Sequence, residues 1–364
     1  MLERIRLALI YGGKTSEHEV SLVSAASVYQ HLDRSRYEVI PIAIDKAGRL
    51  HLHQDEDLVA YQATLPVQTD KSLPLHALID NASFCRPVDV VLPILHGRDY
   101  EDGCIQGLLR QANVAFVGCD VLGSAIGMSK DCAKILAFYD DIAIADFVLI
   151  QKNMPPNELY SLIDEARLRL SWPIFIKPSC AGSSIGIHKA KNMTELLLGI
   201  EDAFLYDEEV LLEQCIVGRE IEVAVLENYR EQTIEASLPG EISVHHPDGF
   251  YSYAAKYIES TQSEYIIPAA ITSEWIDNIQ QTAINIFKRL KCKGMARIDF
   301  FFNEEHQKLY FNEVNTIPGF TAINLYPQMW AKTGLPYPKL LDCLIDTAIL
   351  QQKTRAALLT NFQA

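Results

Sequence analysis

Three near-continuous apolar runs in the first third of the chain predict buried strands. They occupy residues 5–11, 38–44 and 88–95, and helical patterns lie at 17–32 and 101–112. Apolar runs without alternation are typical of parallel strands, because both faces of such a sheet are packed against helices. The first third is therefore predicted to form an open α/β layer.

Residues 46–86 lie between the second and third of these strands. They are polar and irregular, and their periodicity is weak. We interpret this segment as an insertion over the edge of the sheet.

The middle of the chain changes from helices to β-structure. The predicted elements are helices at 130–139 and 157–170 and strands at 173–177, 185–189 and 210–216. A loop of glycine and serine, residues 179–184, joins the first two of these strands and directly follows Lys177-Pro178. Small residues of this kind let backbone N–H groups and hydroxyls approach phosphate oxygens, although a plain turn explains the loop equally well.

The last third carries a long stretch rich in proline, glycine, histidine and tyrosine, Pro239–Gln262. A predicted helix at 273–290 and a closing helix at 337–351 bracket a hairpin. We divide the chain into three units: 1–129, an α/β domain on the side of the first substrate; 130–220, which carries the glycine and serine loop; and 221–364, which carries the hairpin and the long stretch.

Two apolar stretches separated by a polar turn predict a β-hairpin near the C-terminus. Strand side chains alternate between faces, so Arg297 and Asp299 share one face, as do Glu313 and Asn315. A turn at 304–308 puts Asp299 opposite Glu313. Three oxygen donors crowded in this way suit Mg²⁺. A solvated hairpin face with a local salt bridge is the alternative.

Composition and charge limit the function classes. A length of 364 residues suits two or three domains, and a formal net charge of -15 argues against a nucleic-acid or anionic-membrane partner. The eight cysteines form no CxxC pair or zinc-ligand spacing, which favours reduced thiols and a cytoplasmic location. The N-terminus has no apolar signal-peptide core, and no run of eighteen apolar residues predicts a membrane span.

The sequence offers no standard nucleotide fingerprint. Gly12-Gly13-Lys14-Thr15 resembles the end of a P-loop, but Ala8 occupies the position that needs glycine. No G-x-G-x-x-G follows a strand, so a dinucleotide fold is unsupported. Lys130 and Lys177, together with the oxygen cluster, instead supply point charges and a metal for a triphosphate, although each lysine alone is also consistent with a surface charge.

Seven motifs in one order resemble the ATP-grasp superfamily and, within it, the D-alanine:D-alanine ligases. They are Tyr11-Gly12-Gly13 with 16–21, 95–98 with 101–103, Met128-Ser129-Lys130, 177–179 with 182–186, Lys256-Tyr257, 296–299, and 313–321. The match covers nearly the whole chain, and seven motifs in sequence are very unlikely to agree by chance.

The resemblance implies an ATP-grasp fold behind an N-terminal open parallel α/β domain. It implies that ATP activates one D-alanine as an acyl phosphate, which the amine of a second D-alanine attacks, for peptidoglycan precursor synthesis. The implied cofactors are ATP and two Mg²⁺ ions, with Mn²⁺ as a substitute, and relatives suggest a homodimer. Positioning and charge neutralisation dominate such catalysis.

The resemblance also assigns roles to individual residues. Lys130 and Lys177 hold phosphates; Asp299, Glu313 and Asn315 hold the metal ions; Arg297 and the N–H of Gly319 stabilise the oxyanion. Glu213 meets adenine and Glu220 the ribose, while Ser184, Gln214, Ile216 and Lys256 complete the nucleotide site. Glu19 anchors the ammonium of the first substrate and is linked to Ser183 and Tyr257. His96, Asn324 and Leu325 contact substrate.

Several of these positions have alternative explanations. Ser16 and Glu19 have the spacing of a helix capping box, and Glu213 and Glu220 are ordinary in solvent-facing strands. Tyr257 argues against D-lactate as the second substrate, whereas Asn324, where the family commonly has serine, leaves D-serine open. A non-catalytic ATP-binding relative is a further alternative, but it has no need of Arg297.

Overall fold

The chain folds into three β-sheets with helices packed around them. The computed structural model describes residues 3–67, 72–73, 88–244, 263–321 and 324–359. The strands are β1 Ile5–Gly12, β2 Tyr37–Ile44, β3 Leu50–Leu52, β4 Ser72–Leu73, β5 Val90–Leu95, β6 Ala115–Phe116, β7 Phe147–Gln151, β8 Ile174–Pro178, β9 His188–Ala190, β10 Glu209–Gln214, β11 Arg219–Asn228, β12 Thr233–Ala236, β13 Gly240–Val244, β14 Ser263–Ile266, β15 Met295–Asn303 and β16 Lys308–Asn315. The helices are α1 His18–His31, α2 Asp55–Leu58, α3 Cys104–Gln111, α4 Val121–Met128, α5 Lys130–Phe138, α6 Pro156–Arg169, α7 Met193–Ala203, α8 Ser273–Arg289, α9 Leu325–Thr333 and α10 Tyr337–Ala356.

The first sheet confirms the predicted α/β layer. Its strand order is β4-β3-β2-β1-β5-β6, and β1 pairs in parallel with both β2 and β5. Leu9 and Ile10 of β1 are both fully buried, as expected for a strand covered on both faces. The described parts of 46–86 add β3 and β4 in antiparallel fashion at one edge, where the insertion was predicted.

The middle of the chain forms an antiparallel sheet in the order β7-β10-β8-β9, packed against α6 and α7. The predicted strand at 185–189 is mostly wrong, because β9 begins only at His188. Ser183, Ser184 and Gly186 have φ values of 52°, 59° and 67°, which turn the backbone out of the extended conformation. These residues form a coiled loop ahead of a short strand. We call residues 179–187 the serine loop.

The third sheet contains the predicted hairpin, with strand order β14-β13-β11-β15-β16 and β12 beside β11. Asp299 lies opposite Glu313 and Arg297 opposite Asn315, so the predicted register is confirmed. The register then shifts, because Phe300 pairs with Phe311 and leaves one extra residue on β16. Bulges of this kind re-aim a side chain and are common beside active sites.

Other sequence predictions are only partly met. Gly240–Val244 is a strand within the predicted stretch Pro239–Gln262, and residues 245–262, with Lys256 and Tyr257, lie outside the described residues. The capping box is wrong: α1 has Glu17 at its N-cap and no side-chain capping hydrogen bond. Helices α4, α7 and α9 were not predicted.

The packing of the three sheets is uneven. One apolar cluster joins the first sheet to α9 and α10, whereas the middle sheet has an apolar cluster of its own with α6 and α7. Among the described residues, no helix is both long and apolar enough to cross a bilayer. All seven cysteines that the structure describes are free thiols.

Candidate active site

Two cavities meet where the three sheets converge. The larger, of about 920 Å³, lies between α1 and the third sheet, and the smaller, of about 280 Å³, lies between the middle and third sheets. Both are lined by Glu222, Arg297 and Glu313. Predicted residues along the larger cavity are Glu19, His96, Lys130, Ser183, Asn315, Gly319, Asn324 and Leu325. Those along the smaller one are Lys177, Ser184, Glu213, Gln214, Ile216, Glu220 and Asp299.

A row of three carboxylates crosses three neighbouring strands at this junction. Glu222 of β11 lies opposite Asp299 of β15, which lies opposite Glu313 of β16. Arg297 donates to both oxygens of Asp299 at 2.8 and 2.7 Å, and its Nε is 3.0 Å from Glu222 Oε2. Although burial disfavours the charged guanidinium, Asp299 and Glu222 raise the pKa of Arg297 well above its usual range. The cation at the junction is therefore permanent.

The oxygen donors fit a hard divalent cation. Asp299, Glu313 and Asn315 lie at adjacent positions of one hairpin, as predicted, and offer two carboxylates and one amide oxygen. All three donors already contact protein groups: Asp299 accepts from Arg297, Asn315 Oδ1 accepts from the N–H of Ile317 at 3.1 Å, and Glu313 Oε2 lies 3.4 Å from Lys130 Nζ. A carboxylate has four lone-pair directions, so such contacts leave room for a metal.

The lysines approach the junction from two elements. Lys130 of α5 donates to the carbonyl of Ala181 in the serine loop at 2.7 Å and lies 3.4 Å from Glu313 Oε2. Lys177 of β8 donates to Glu213 Oε1 and, at 3.3 Å, to Asn312 Oδ1. Both lysines thus lie at the interface between the middle and third sheets, where a polyphosphate would find two positive charges.

Glu213 is buried, contrary to the simple strand interpretation. It is 1% exposed, and Lys134 Nζ lies 2.9 Å from its second oxygen. Burial raises the pKa of a carboxyl, but the charges of Lys134 and Lys177 lower the pKa of Glu213 below its ordinary value. Glu220 lines the same cavity two strand pairs away from Asp299 on the sheet.

The predicted link between Glu19 and Ser183 is wrong. The hydroxyl of Ser183 donates to Glu17 Oε1, and Glu17 is buried at 6% exposure. The Glu19 side chain is 65% exposed and pairs with Lys46 at the cavity rim. About half a helical turn separates the two side chains, because Glu17 precedes α1 and faces the serine loop, whereas Glu19 lies within the first turn and faces outward.

Two buried titratable groups lie behind Glu17. Glu101 accepts from the N–H of Gly97 at 2.6 Å, and burial, with the charge of Glu17, raises the pKa of Glu101 well above its usual range. Burial lowers the pKa of His96, which is 4% exposed. Burial at this end of the larger cavity therefore favours the neutral forms of Glu101 and His96 over their charged forms.

Gly319 and Asn324 pack directly against each other. A Cβ at residue 319 would lie 2.6 Å from Asn324 Oδ1, so any side chain there would displace the amide of Asn324. Asn324 Oδ1 accepts from the N–H of Thr321 at 2.8 Å, which leaves the amide N–H₂ as the group that Asn324 offers to the cavity. Leu325 follows as the first residue of α9 and is 3% exposed.

Four residues of the site were missed by sequence reasoning: Glu17, Lys134, Glu222 and Asn312. Two carried a readable signal, because Glu222 follows Glu220 by one strand period and Lys134 follows Lys130 by one helical turn. Asn312 is the extra residue of the bulge, which no local pattern reveals. Glu17 competes with Glu19 two positions later, and only the tertiary contact with Ser183 separates them.

The middle and third sheets face each other across the smaller cavity, with Lys130 and Lys177 between them and the hairpin carboxylates at its end. This is the arrangement of ATP-grasp enzymes. Comparisons narrow this class to one family. A sequence-family model described as D-ala D-ala ligase N-terminus matches residues 6–119. A second family model, described as D-ala D-ala ligase C-terminus, matches residues 136–346. The chain belongs to the D-alanine–D-alanine ligase family, as its motifs predicted.

Relatives and solved structures agree with this assignment. The chain is 51% identical over 363 residues to a D-alanine–D-alanine ligase of Legionella pneumophila (strain Lens), with both chains fully covered. The D-alanine–D-alanine ligase from Coxiella burnetii has a TM-score of 0.77 at 32% identity, covering 97% of this chain and 96% of that one. The VanG D-Ala:D-Ser ligase from Enterococcus faecalis has a TM-score of 0.79 at 33% identity, covering 95% and 100%.

Proposed function

We propose that the chain joins two D-alanines to D-alanyl-D-alanine with ATP, forming ADP and phosphate, for peptidoglycan precursor synthesis. The observation that carries the proposal is the meeting of the two cavities at Arg297 and Glu313. Nucleotide in the smaller cavity and amino acid in the larger one would bring phosphate and carboxylate together at this junction. We place the reaction in the cytoplasm, where ATP is available.

In this proposal ATP occupies the smaller cavity. Lys130 and Lys177 bind its phosphates, and the serine loop with Ser184 covers them. Glu213, Gln214 and Ile216 contact adenine, and Glu220 contacts the ribose. All of these residues except Lys130 line that cavity, and the ammonium of Lys130 donates to the serine loop, which supports the assignment.

We assign Asp299, Glu313 and Asn315 to two Mg²⁺ ions, for which Mn²⁺ substitutes. Bound there, the ions neutralise negative charge that develops on the phosphates during transfer. The adjacent positions of the three oxygen donors on one hairpin support this assignment.

The larger cavity takes both amino acids. Glu17, in place of Glu19, holds the ammonium of the first D-alanine, and His96 lies beside it. A carboxylate oxygen of this D-alanine attacks the terminal phosphorus of ATP, and ADP leaves. The amine of the second D-alanine then attacks the carbonyl carbon; phosphate leaves and the amine loses a proton. Arg297 and the N–H of Gly319 stabilise the intervening oxyanion.

The second amino acid is where D-serine stays a candidate. We assign its carboxylate to the amide of Asn324 and to the backbone at Leu325. Because Asn324 Oδ1 is already held by Thr321, only its N–H₂ faces a carboxylate or a serine hydroxyl. Lys256, which the motif assigns to the nucleotide, and Tyr257, which it assigns to the first substrate, lie outside the described residues. The D-Ala:D-Ser ligase among the structural neighbours favours keeping this second candidate.

Phosphate release from Mg-ATP tests the proposal. We expect release with D-alanine alone and a product with the mass of D-alanyl-D-alanine, and no release with L-alanine or in the presence of a chelator. D-serine and D-lactate, each offered together with D-alanine, decide the second site by the mass of the mixed product. No phosphate release above background with D-alanine would exclude the proposed reaction.

Two further parts of the proposal concern the whole protein. We divide it into units 1–129, 130–220 and 221–364, and we expect a homodimer. Light scattering coupled to size exclusion measures the dimer, because a single chain has a mass of 40.9 kDa.

A further inference from the structure

Lys134 is a fully buried lysine that the proposed reaction does not use. It is 1% exposed and lies on α5, one helical turn after Lys130, on the same side of the helix. Buried lysines are rare unless paired, because an ammonium loses its hydration on leaving water. Burial lowers the pKa of Lys134 below its ordinary value, against the opposing charge of Glu213.

The partner of Lys134 is the second oxygen of Glu213. Lys134 Nζ lies 2.9 Å from Glu213 Oε2, while Lys177 donates to Oε1. The attraction between the two opposite charges contributes more to this contact than a hydrogen bond does. Two ammonium groups therefore share one buried carboxylate, and Lys134 approaches it from behind the nucleotide cavity, which it does not itself line.

We propose that Lys134 is a positioning residue for the nucleotide, which acts through Glu213. By neutralising one oxygen of Glu213, Lys134 weakens the attraction between Lys177 and that carboxylate. The Lys177 ammonium is then available to bind a phosphate. Lys134 also fixes the orientation of the carboxylate that faces adenine. This inference rests on the nucleotide roles proposed for Glu213 and Lys177.

Without Lys134 the balance of the cluster changes. Glu213 would have Lys177 as its main counter-charge, and its second oxygen would be buried without a cation. The Lys177 ammonium would then be drawn fully to Glu213 and away from a phosphate. A lysine that served only to stabilise the fold would instead affect all substrates alike.

Replacing Lys134 with methionine, which has a similar volume and no charge, tests the inference. We expect the Kd for Mg-ATP, measured by calorimetry without D-alanine, to rise by about 10- to 100-fold. The KM for D-alanine should stay within about threefold of the parent value. The matched control is Lys152→Met in the same unit, since the ammonium of exposed Lys152 donates to the carbonyl of Phe204, and its Kd for Mg-ATP should not change.

Two results would overturn the inference. One is a Kd for Mg-ATP in Lys134→Met within about twofold of the parent; the other is an equal rise in the KM for D-alanine. If Lys134→Met does not fold, the comparison moves to Glu213→Gln and Glu213→Gln/Lys134→Met, since removing both charges of a buried pair is often tolerated. An equal Kd for Mg-ATP in these two variants supports action through Glu213. A further rise of about tenfold in the double variant contradicts it.

The same data separate this inference from the proposed function. One outcome has three parts: the parent chain binds Mg-ATP, Lys134→Met weakens that binding, and no D-alanyl-D-alanine forms. In that case the role of Lys134 stands and the choice of substrate fails. If the parent forms the dipeptide and Lys134→Met binds Mg-ATP as the parent does, the proposed function stands and the role of Lys134 fails. A parent chain that does not bind Mg-ATP overturns both.

Discussion

Two glutamates at the start of α1 have opposite surroundings. Glu17 is buried against the serine loop through Ser183, whereas the side chain of Glu19 is largely exposed and pairs with Lys46. A carboxylate that is already desolvated and held by a hydroxyl binds an ammonium more strongly than an exposed one. At the scale of residues, Glu17 is therefore the better candidate for the first D-alanine.

This difference predicts opposite results for two conservative variants. In Glu17→Gln we expect the KM for D-alanine to rise by about tenfold or more, because an ion pair with the substrate is lost. In Glu19→Gln we expect a change of less than about twofold, since an exposed pair with Lys46 contributes little. Initial rates at varied D-alanine measure both. A larger effect at Glu19 than at Glu17 would restore the original assignment.

At the scale of elements, the middle sheet is joined to the first sheet by polar contacts near the serine loop. Arg98, between β5 and α3, donates to the carbonyl of Tyr206 at 3.0 Å and lies 3.4 Å from Asp207. Asp207 in turn accepts from the N–H of Cys180 in the serine loop at 2.6 Å. These contacts link the loop that precedes α3 to the serine loop, which lines the larger cavity.

Arg98→Gln tests whether these contacts help to hold the serine loop. We expect the KM for D-alanine to rise about two- to fivefold. The effect is small because the ion pair between Arg98 and Asp207 is half exposed on the Arg98 side and contributes at most about 1 kcal/mol. The Kd for Mg-ATP should rise by a similar factor, because the same loop is proposed to cover the phosphates. Arg110→Gln is the control, since Arg110 pairs with Asp120 away from the middle sheet. If both variants behave alike, Arg98 has no special part in the loop's position.

At the scale of the whole molecule, the apolar packing is divided. The first sheet shares an apolar cluster with α9 and α10, whereas the middle sheet forms a separate apolar cluster with α6 and α7. The serine loop meets the first unit through a polar contact, the hydrogen bond from Ser183 to Glu17. A unit held by few apolar contacts moves more readily than the core around it, which suits a site that must admit ATP.

The stability of the whole chain should depend on pH through Glu101. The pKa of this buried carboxyl is raised in the folded chain, so its proton stabilises the fold fully below the unfolded value of about 4.3. This stabilisation is lost as pH rises through the folded pKa, by up to about 1.4 kcal/mol per pH unit. Glu101→Gln removes the titration. The free energy of unfolding of Glu101→Gln, relative to that of the parent, should therefore increase from about pH 5.5 to about pH 8, so that the variant becomes relatively more stable.

Urea unfolding of both proteins at the two pH values measures this difference. The control is Glu274→Gln, because Glu274 is exposed on the surface of α8. A difference between Glu101→Gln and the parent that is the same at both pH values would show that Glu101 does not titrate in this range.

The local patterns were read correctly where neighbours in sequence decide the structure. The strands β1, β2 and β5 of the first sheet, the helices around 157–170 and 273–290, and the hairpin register of Asp299 and Glu313 all follow from short-range periodicity. The strand at 185–189 failed because left-handed backbone at Ser183 and Ser184 leaves no trace in a hydrophobic pattern.

The sequence by itself therefore determined the fold class, the family, the order of the motifs and the register of the hairpin that carries Asp299 and Glu313, because each depends on residues close together in the chain. Only the tertiary structure decided that Glu17 rather than Glu19 meets Ser183, and that Lys134 shares Glu213 with Lys177. These contacts join residues on different sheets and helices. Whether a carboxylate there is exposed or buried depends on how those elements pack, which no local pattern records.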